Sequence, residues 1–225
     1  MKEHGLSNAT AWHTLSVDQV RGDKAWKKLN EALKLRKEIG WHDKPLLYLD
    51  WRVSHAKNLK DYREKLLVIK IIAAENGIKD IYIYGKDESV GKELEDFDRE
   101  IYRLHKSMGL KTFVAGWIQE FLCRTDNIDL FVVSGPLVDS YPVSIYGGAS
   151  LSQIREAKQK GKIVWVYNNP QAGIEDPMIY RRNFGLQLVK MGVDGTLNYA
   201  YQTGTCWNDF DNLEYLSCYG VSHYR

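Results

Sequence analysis

Cysteines are few in this chain, and long apolar runs are missing. Its three cysteines, Cys123, Cys206 and Cys218, are an odd number without CxxC spacing, so they imply neither a disulfide framework nor a zinc site. No stretch approaches the roughly 18 uninterrupted apolar residues of a membrane helix, so we expect no membrane association. The first ten residues contain no apolar signal core, so nothing in this chain directs export, and its location is left open.

An excess of one charge sign is also missing. The chain has 31 basic and 29 acidic residues, spread along its length, so nucleic acid is not an expected partner. With 44% hydrophobic and 27% charged residues, the composition is that of an ordinary globular protein. A length of 225 residues is enough for one large domain with its own core, and we expect a single domain over 1–225.

Glycine-rich loops of the GxGxxG or GxxxxGK[ST] type follow none of the predicted strands, so the nucleotide-binding folds lose their usual support. What is present is an alternation of short apolar runs with longer amphipathic segments. The runs predict strands at 8–12, 46–50, 81–85, 112–116, 130–134, 163–167 and 195–199. The segments between them predict helices at 23–39, 57–76, 91–108, 118–124, 151–160 and 177–191.

Five of these helices end in a glycine that directly follows the last periodic residue. The motifs are "KEIGW", "AENGIKD", "SMGLK", "KQKGKI" and "KMGVDG". The repeated order of helix, glycine and strand predicts parallel strands joined by crossover helices, in a doubly wound sheet or a closed (β/α) barrel. Polar residues gather at the carboxyl ends of the strands, where barrels place their active sites, and this favours the barrel.

The strand count is seven, whereas a TIM-type barrel has eight. The opening "MKEHG" is typical of the end of a helix whose strand is absent. The predicted fold is therefore an α/β, TIM-type (β/α) barrel that is incomplete, with its first strand missing. We expect a fragment or a shortened form, completed by a missing segment or by self-association, because two open sheet edges are an aggregation hazard.

Two adjacent acids, Asp87 and Glu88, follow the strand in "YIYGKDES". They have three explanations. They begin the next helix and interact with its dipole; they bind a metal, although no histidine lies near; or they act as acid and base on a sugar. Because the metal site lacks ligands, we expect no metal, and no cofactor is indicated. The sugar explanation fits the 7 Trp and 14 Tyr beside 6 Phe, since Trp and Tyr suit sugar clefts as well as interfaces and cores.

Five segments in order resemble the catalytic barrel of glycoside hydrolase family 123. They are "MKEHGLSNAT", "IYIYGKDES", "KIVWVYNNPQAG", "YRRNFGLQLVKMGVDGTLNYAYQ" and "CWNDFD", which extend over nearly the whole chain. In that family the acid pair ends the fourth barrel strand, and here it ends the third strand present, as one missing strand requires.

The resemblance implies retaining, substrate-assisted hydrolysis of β-linked N-acetylhexosaminides. In that mechanism the acetamido oxygen of the sugar attacks the anomeric carbon. Glu88 would protonate the leaving oxygen and later activate water, and Asp87 would orient the acetamido group. Lys86 stands where the family has a smaller residue, and its charge would lower the pKa of a neighbouring acid.

Further residues near strand ends are candidates for contacts with a glycan or amino-sugar substrate, although each also has a structural explanation as a cap or a lid over the core. They are Asp50, Trp117, Tyr167, Asn168, Tyr199, Tyr201 and Trp207. Trp165 is more typical of a core residue. Two other hypotheses stay open: a non-catalytic carbohydrate-binding barrel, which Lys86 and the missing strand favour, and a (β/α) scaffold with an interaction role.

Overall fold

A computed structural model of the chain describes residues 7–12, 23–49, 59–86, 92–116, 125–134, 150–167, 178 and 181–197. Its strands are β1 (Thr10–Trp12), β2 (Leu46–Leu49), β3 (Ile81–Tyr84), β4 (Lys111–Gly116), β5 (Leu130–Ser134), β6 (Ile163–Tyr167) and β7 (Gly195–Thr196). Its α-helices are α1 (Asp23–Glu38), α2 (Leu59–Glu75), α3 (Lys92–Ser107), α4 (Leu151–Gln159) and α5 (Gln187–Met191).

The strands follow one another in a seven-stranded sheet in the order in which they occur in the chain. The pairings of β1 with β2, β2 with β3, β3 with β4, β5 with β6 and β6 with β7 are all parallel. The register matches Tyr48 with Ile83 and Tyr84 with Phe113. This is an α/β fold with a parallel sheet, which confirms the predicted class at that level.

Contacts divide the chain into two compact units. The first unit comprises Met1–Val114 and Thr125–Asp129, and the second comprises Ala115–Arg124 and Leu130–Arg225. In the first unit all four residues of β3 are buried, and in the second Phe131, Val132 and Val133 of β5 are inaccessible. Strands covered on both faces have such continuous apolar sequences, and each large side chain buried in this way stabilises the fold by about 1.5–3 kcal/mol.

Helices α1 to α4 end in the same hydrogen-bonded turn. The glycine amide donates to the carbonyl three residues back, and the next amide donates to the carbonyl five residues back, as in Gly40 to Lys37 and Trp41 to Arg36. This Schellman motif requires a left-handed residue, and Gly40, Gly77, Gly109 and Gly161 have φ between 68° and 77°. A glycine at φ 66°, Gly192, also ends α5. All five helix ends predicted from glycine are confirmed.

A buried arginine anchors the short strand β1. The guanidinium of Arg36 donates to the carbonyl oxygen of Ala9 and to Oδ1 of Asn8, both at 2.9 Å. Burial lowers the pKa of Arg36, and its position in the last turn of α1 places the cation near the negative end of the helix dipole. The chain entering β1 is thereby held against α1.

The last predicted helix differs in the structure. The sequence predicted one helix over 177–191, whereas Arg182–Leu186 form a π-helix that continues into α5. A π-helix inserts one residue into the helical turn and shifts the apolar stripe, which the regular helical period does not predict. The short helix predicted at 118–124 lies outside the described residues.

No helix among the described residues is long and apolar enough to cross a membrane.

Candidate functional site

The predicted site residues follow the carboxyl ends of strands. In the first unit, β2 ends at Leu49, one residue before Asp50, and β3 ends at Tyr84, three residues before Asp87. Parallel pairing of Tyr48 with Ile83 brings these two strand ends to the same edge of the sheet. Carboxyl ends of parallel strands are where the ligand sites of α/β folds lie, so this edge is the candidate site of the first unit.

Gly85 positions the chain directly after β3. Its amide donates to the carbonyl oxygen of Phe113 at 2.8 Å, which extends the pairing with β4 by one residue. A Cβ atom at Gly85 would overlap Cγ2 of Val114 and would lie 2.6 Å from Cε1 of Tyr102. Only glycine fits between β4 and α3 here, so the backbone that leads to the acid pair is held on two sides.

The two faces of β3 differ in character. Because Gly85 meets Tyr102 of α3, the alternation along the strand puts Ile83 on the helix-covered side and Tyr84 on the other side. The rings of Tyr84 and Phe113 pack edge to face there, with centroids 4.9 Å apart. An aromatic layer therefore lies on the side of the sheet away from α3, just before the acid pair in sequence.

In the second unit, β6 ends at Tyr167, which was predicted as a substrate contact, and the structure describes its backbone in the strand. Its neighbour Trp165 is half-buried and lies over Gly195 of β7, where a Cβ atom would come within 2.9 Å of the indole Nε1. The absence of a side chain at Gly195 leaves room for the indole beside the next strand. Trp165 is therefore packed on one side but only half-buried, whereas its place in the strand predicted a core residue.

The other predicted site residues lie outside the described residues, and their roles stay predictions. They are Asp50, Asp87, Glu88, Trp117, Asn168, Tyr199, Tyr201 and Trp207. Lys86 is described and half-buried, directly before the acid pair.

A buried polar cluster in the first unit was not predicted. Nε2 of His105 lies 2.7 Å from the hydroxyl of Tyr62, and Nδ1 lies 2.9 Å from Oγ1 of Thr112. Burial lowers the pKa of His105 to about 3, so the imidazole is neutral. Because Thr112 lies at the amino end of β4, the cluster belongs to the edge of the sheet opposite the one at which β2 and β3 end, and it ties α2, α3 and β4 together.

Among the described residues, no group of three or more His, Cys, Asp or Glu side chains is arranged to hold a metal ion. No protein-family model, no characterised protein and no solved structure matches this chain at a significant level.

Proposed function

We propose that this chain is a glycoside hydrolase built on an incomplete TIM-type (β/α) barrel that lacks the first strand, and that its substrate is a glycan with a β-linked N-acetylhexosamine. The observation that supports the barrel is the sheet, whose parallel strands occur in sequence order. That order is the strand arrangement of a (β/α) barrel, in which acids and aromatic residues after the strands form the active site. The proposed chemistry is based on the resemblance of the five sequence segments to glycoside hydrolase family 123.

In the proposed mechanism the acetamido oxygen of the sugar is the nucleophile, so the protein supplies only acid–base and electrostatic help. Glu88 donates its proton to the glycosidic oxygen as the bond breaks, and then removes a proton from the incoming water. Asp87 orients the acetamido group and stabilises the positive charge of the cyclic intermediate. Two displacements at the anomeric carbon retain its configuration.

The surroundings of β3 support this assignment because such chemistry needs acids held in place. The backbone before the acid pair is fixed by the hydrogen bond from Gly85 to Phe113 and by the close packing of Val114 and Tyr102. The ring pair of Tyr84 and Phe113 adds a buried aromatic layer beside that strand end. Rigid elements that support catalytic side chains maintain the geometry on which rates depend.

The test is turnover of an aryl β-N-acetylhexosaminide by Glu88→Gln and Asp87→Asn. We expect Glu88→Gln to lower kcat/KM about 10²–10⁴-fold, because the amide cannot transfer a proton. Glu38→Gln, at an exposed position of α1, is the matched control and should leave turnover unchanged. Wild-type turnover in Glu88→Gln would exclude Glu88 as the general acid.

A second candidate function is a non-catalytic carbohydrate-binding barrel, and Lys86 favours it. A half-buried cation beside the acid pair lowers the proton affinity of a carboxyl group, which opposes the role of general acid. This function predicts saturable binding of an amino-sugar glycan, measured by calorimetry, with no hydrolysis by the wild-type chain. Turnover that depends on Glu88 would exclude it.

A further inference from the structure

The exposed face of α2 differs from the exposed faces of α3 and α4. On α2 the side chains of Leu67 and Ile71 are 45% and 56% exposed. On the described part of α3 and on α4 the exposed residues are all polar or charged, including Arg103 and Arg155. Two large apolar side chains that lie next to each other on one exposed helix face form a small apolar patch, and contact with another protein would remove it from water.

Leu67 and Ile71 are the middle of a longer row. Arg63, Leu67, Ile71 and Glu75 are spaced four residues apart, and all four are exposed. Residues at this spacing form one continuous ridge along a helix. The ridge has a cation at its amino end, two apolar residues in the middle and an anion at its carboxyl end.

We propose that this ridge is the interface of a two-fold dimer in which α2 packs antiparallel against α2 of a second copy of the chain. A two-fold axis midway between Leu67 and Ile71 pairs each residue with the one equally far on the other side of position 69. Leu67 then faces Ile71 of the second copy, and Arg63 faces Glu75 of the second copy. Each contact occurs twice, as a two-fold interface requires.

Charge complementarity is what selects a second copy as the occupant. The two ion pairs join opposite charges only when the helices run antiparallel, because a parallel pair would place Arg63 against Arg63 and Glu75 against Glu75. The other pair of exposed apolar residues, Leu186 and Val189 near α5, has no such pair of opposite charges on either side of it. They lie beside the exposed cations Arg181 and Lys190, and two copies of such a face would repel each other.

The expected dimer is weak. One helix face buries far less than the roughly 800 Å² per partner of a standard stable interface. Exposed ion pairs add only a modest attraction, which salt reduces. The dimer should therefore appear at high protein concentration and low ionic strength.

The test is sedimentation equilibrium of the full chain and of charge-reversed variants. Arg63→Glu and Glu75→Arg should each raise the dissociation constant of the dimer about tenfold, because two attractive pairs become repulsive. An equimolar mixture of the two single variants should dimerise as the wild type does. In that heterodimer the Glu at 63 faces the Arg at 75, and the native Arg63 faces the native Glu75, so both attractive pairs return. The double variant, with Arg63→Glu and Glu75→Arg in the same chain, should dimerise as well, because both ion pairs are then reversed and stay attractive.

Arg155→Glu, which makes the same charge change on the exposed face of α4, is the control and should leave the dissociation constant unchanged. Circular dichroism of each variant checks its fold, which these exposed substitutions should preserve. A chain that is monomeric at every concentration would overturn the proposal. So would a dimer that neither single variant weakens, or one that the mixture fails to restore, since another register, surface or partner would then be in use. None of these outcomes depends on whether the chain hydrolyses a glycan.

Discussion

At the scale of single residues, Gly85 shows how little space remains at the end of β3. The strand pairs with β4 through this residue, and α3 packs so closely that Tyr102 and Val114 occupy the space of a Cβ atom. The sequence contains this glycine in "YIYGKDES", but it does not reveal the reason for it. Tyr102 is 17 residues further along the chain, and only the folded structure brings its ring to the strand.

Gly85→Ala should therefore destabilise the protein by about 1–3 kcal/mol, because the added methyl group overlaps packed side chains. Chemical denaturation gives the free energy of unfolding. Gly185→Ala is the matched control, since a Cβ atom there meets nothing within 4 Å. Equal stability of Gly85→Ala and the wild type would show that α3 moves aside at little cost.

His105 is the other residue whose importance the sequence does not reveal. Its two partners are 43 and 7 residues away, on α2 and β4, so no local pattern connects the three. The ring of Tyr102 is also near, with its centroid 6.4 Å from that of the imidazole. All these neighbours are uncharged, and burial alone accounts for the lowered pKa of His105.

The stability of the fold should fall as the pH is lowered below 6.5. The folded-state pKa of His105 is about 3 and its ordinary value is 6.5, so between these values the unfolded chain binds one more proton. The contribution of the neutral His105 to the free energy of unfolding is complete above pH 6.5. It decreases by about 1.4 kcal/mol per pH unit towards pH 3.

Denaturation at pH 6.5 and pH 5 measures this effect. The wild type should lose about 2 kcal/mol more than His105→Gln between these values, because glutamine does not titrate. His42→Gln, at an exposed position, is the matched control. An identical pH dependence in His105→Gln would assign the acid sensitivity to other groups.

At the scale of elements, the sequence predicted helices and strands well because their signals are local. Strands β5 and β6 have the predicted bounds, since each is a continuous apolar run rich in β-branched residues. Helix ends were predictable because a left-handed turn needs glycine. The π-helix before α5 was not predictable, because a single inserted residue leaves no periodic pattern.

A pair of hydrogen bonds from an aspartate, which the sequence did not predict, occurs at the starts of two strands. The amide of Asp129 donates to the carbonyl of Thr112. The carboxylate of Asp129 accepts in turn from the amide of Thr112 at 2.8 Å. Asp194 makes the same two bonds with Val164. In each case one aspartate before a strand completes the hydrogen bonding at the start of the preceding strand.

Asp194→Ala should cost about 1–2 kcal/mol of stability. It removes the charge-assisted bond to the amide of Val164 and the contact with Nζ of Lys158 at 2.8 Å. Asp43→Ala should change stability by less than about 0.5 kcal/mol, because that carboxylate is exposed and pairs only loosely with Lys44. Similar values for the two variants would show that Asp194 acts only as a surface charge.

At the scale of the whole molecule, the parallel order of the strands follows from the alternation of helices and strands along the chain. The candidate site was less predictable. Asp87 and Glu88 suit the start of a helix as well as acid–base chemistry, so their assigned roles depend on the resemblance rather than on the residues alone.

The repeated glycine turn also bears on how such a chain changes during evolution. Gly40, Gly77, Gly109 and Gly161 each stand between a finished helix and the next strand, in the same conformation. A genetic crossover at any of these glycines would join whole helix–strand units and would leave the glycine turn between them intact. The chain therefore has natural boundaries at which a unit can be duplicated, lost or exchanged without interrupting a helix or a strand.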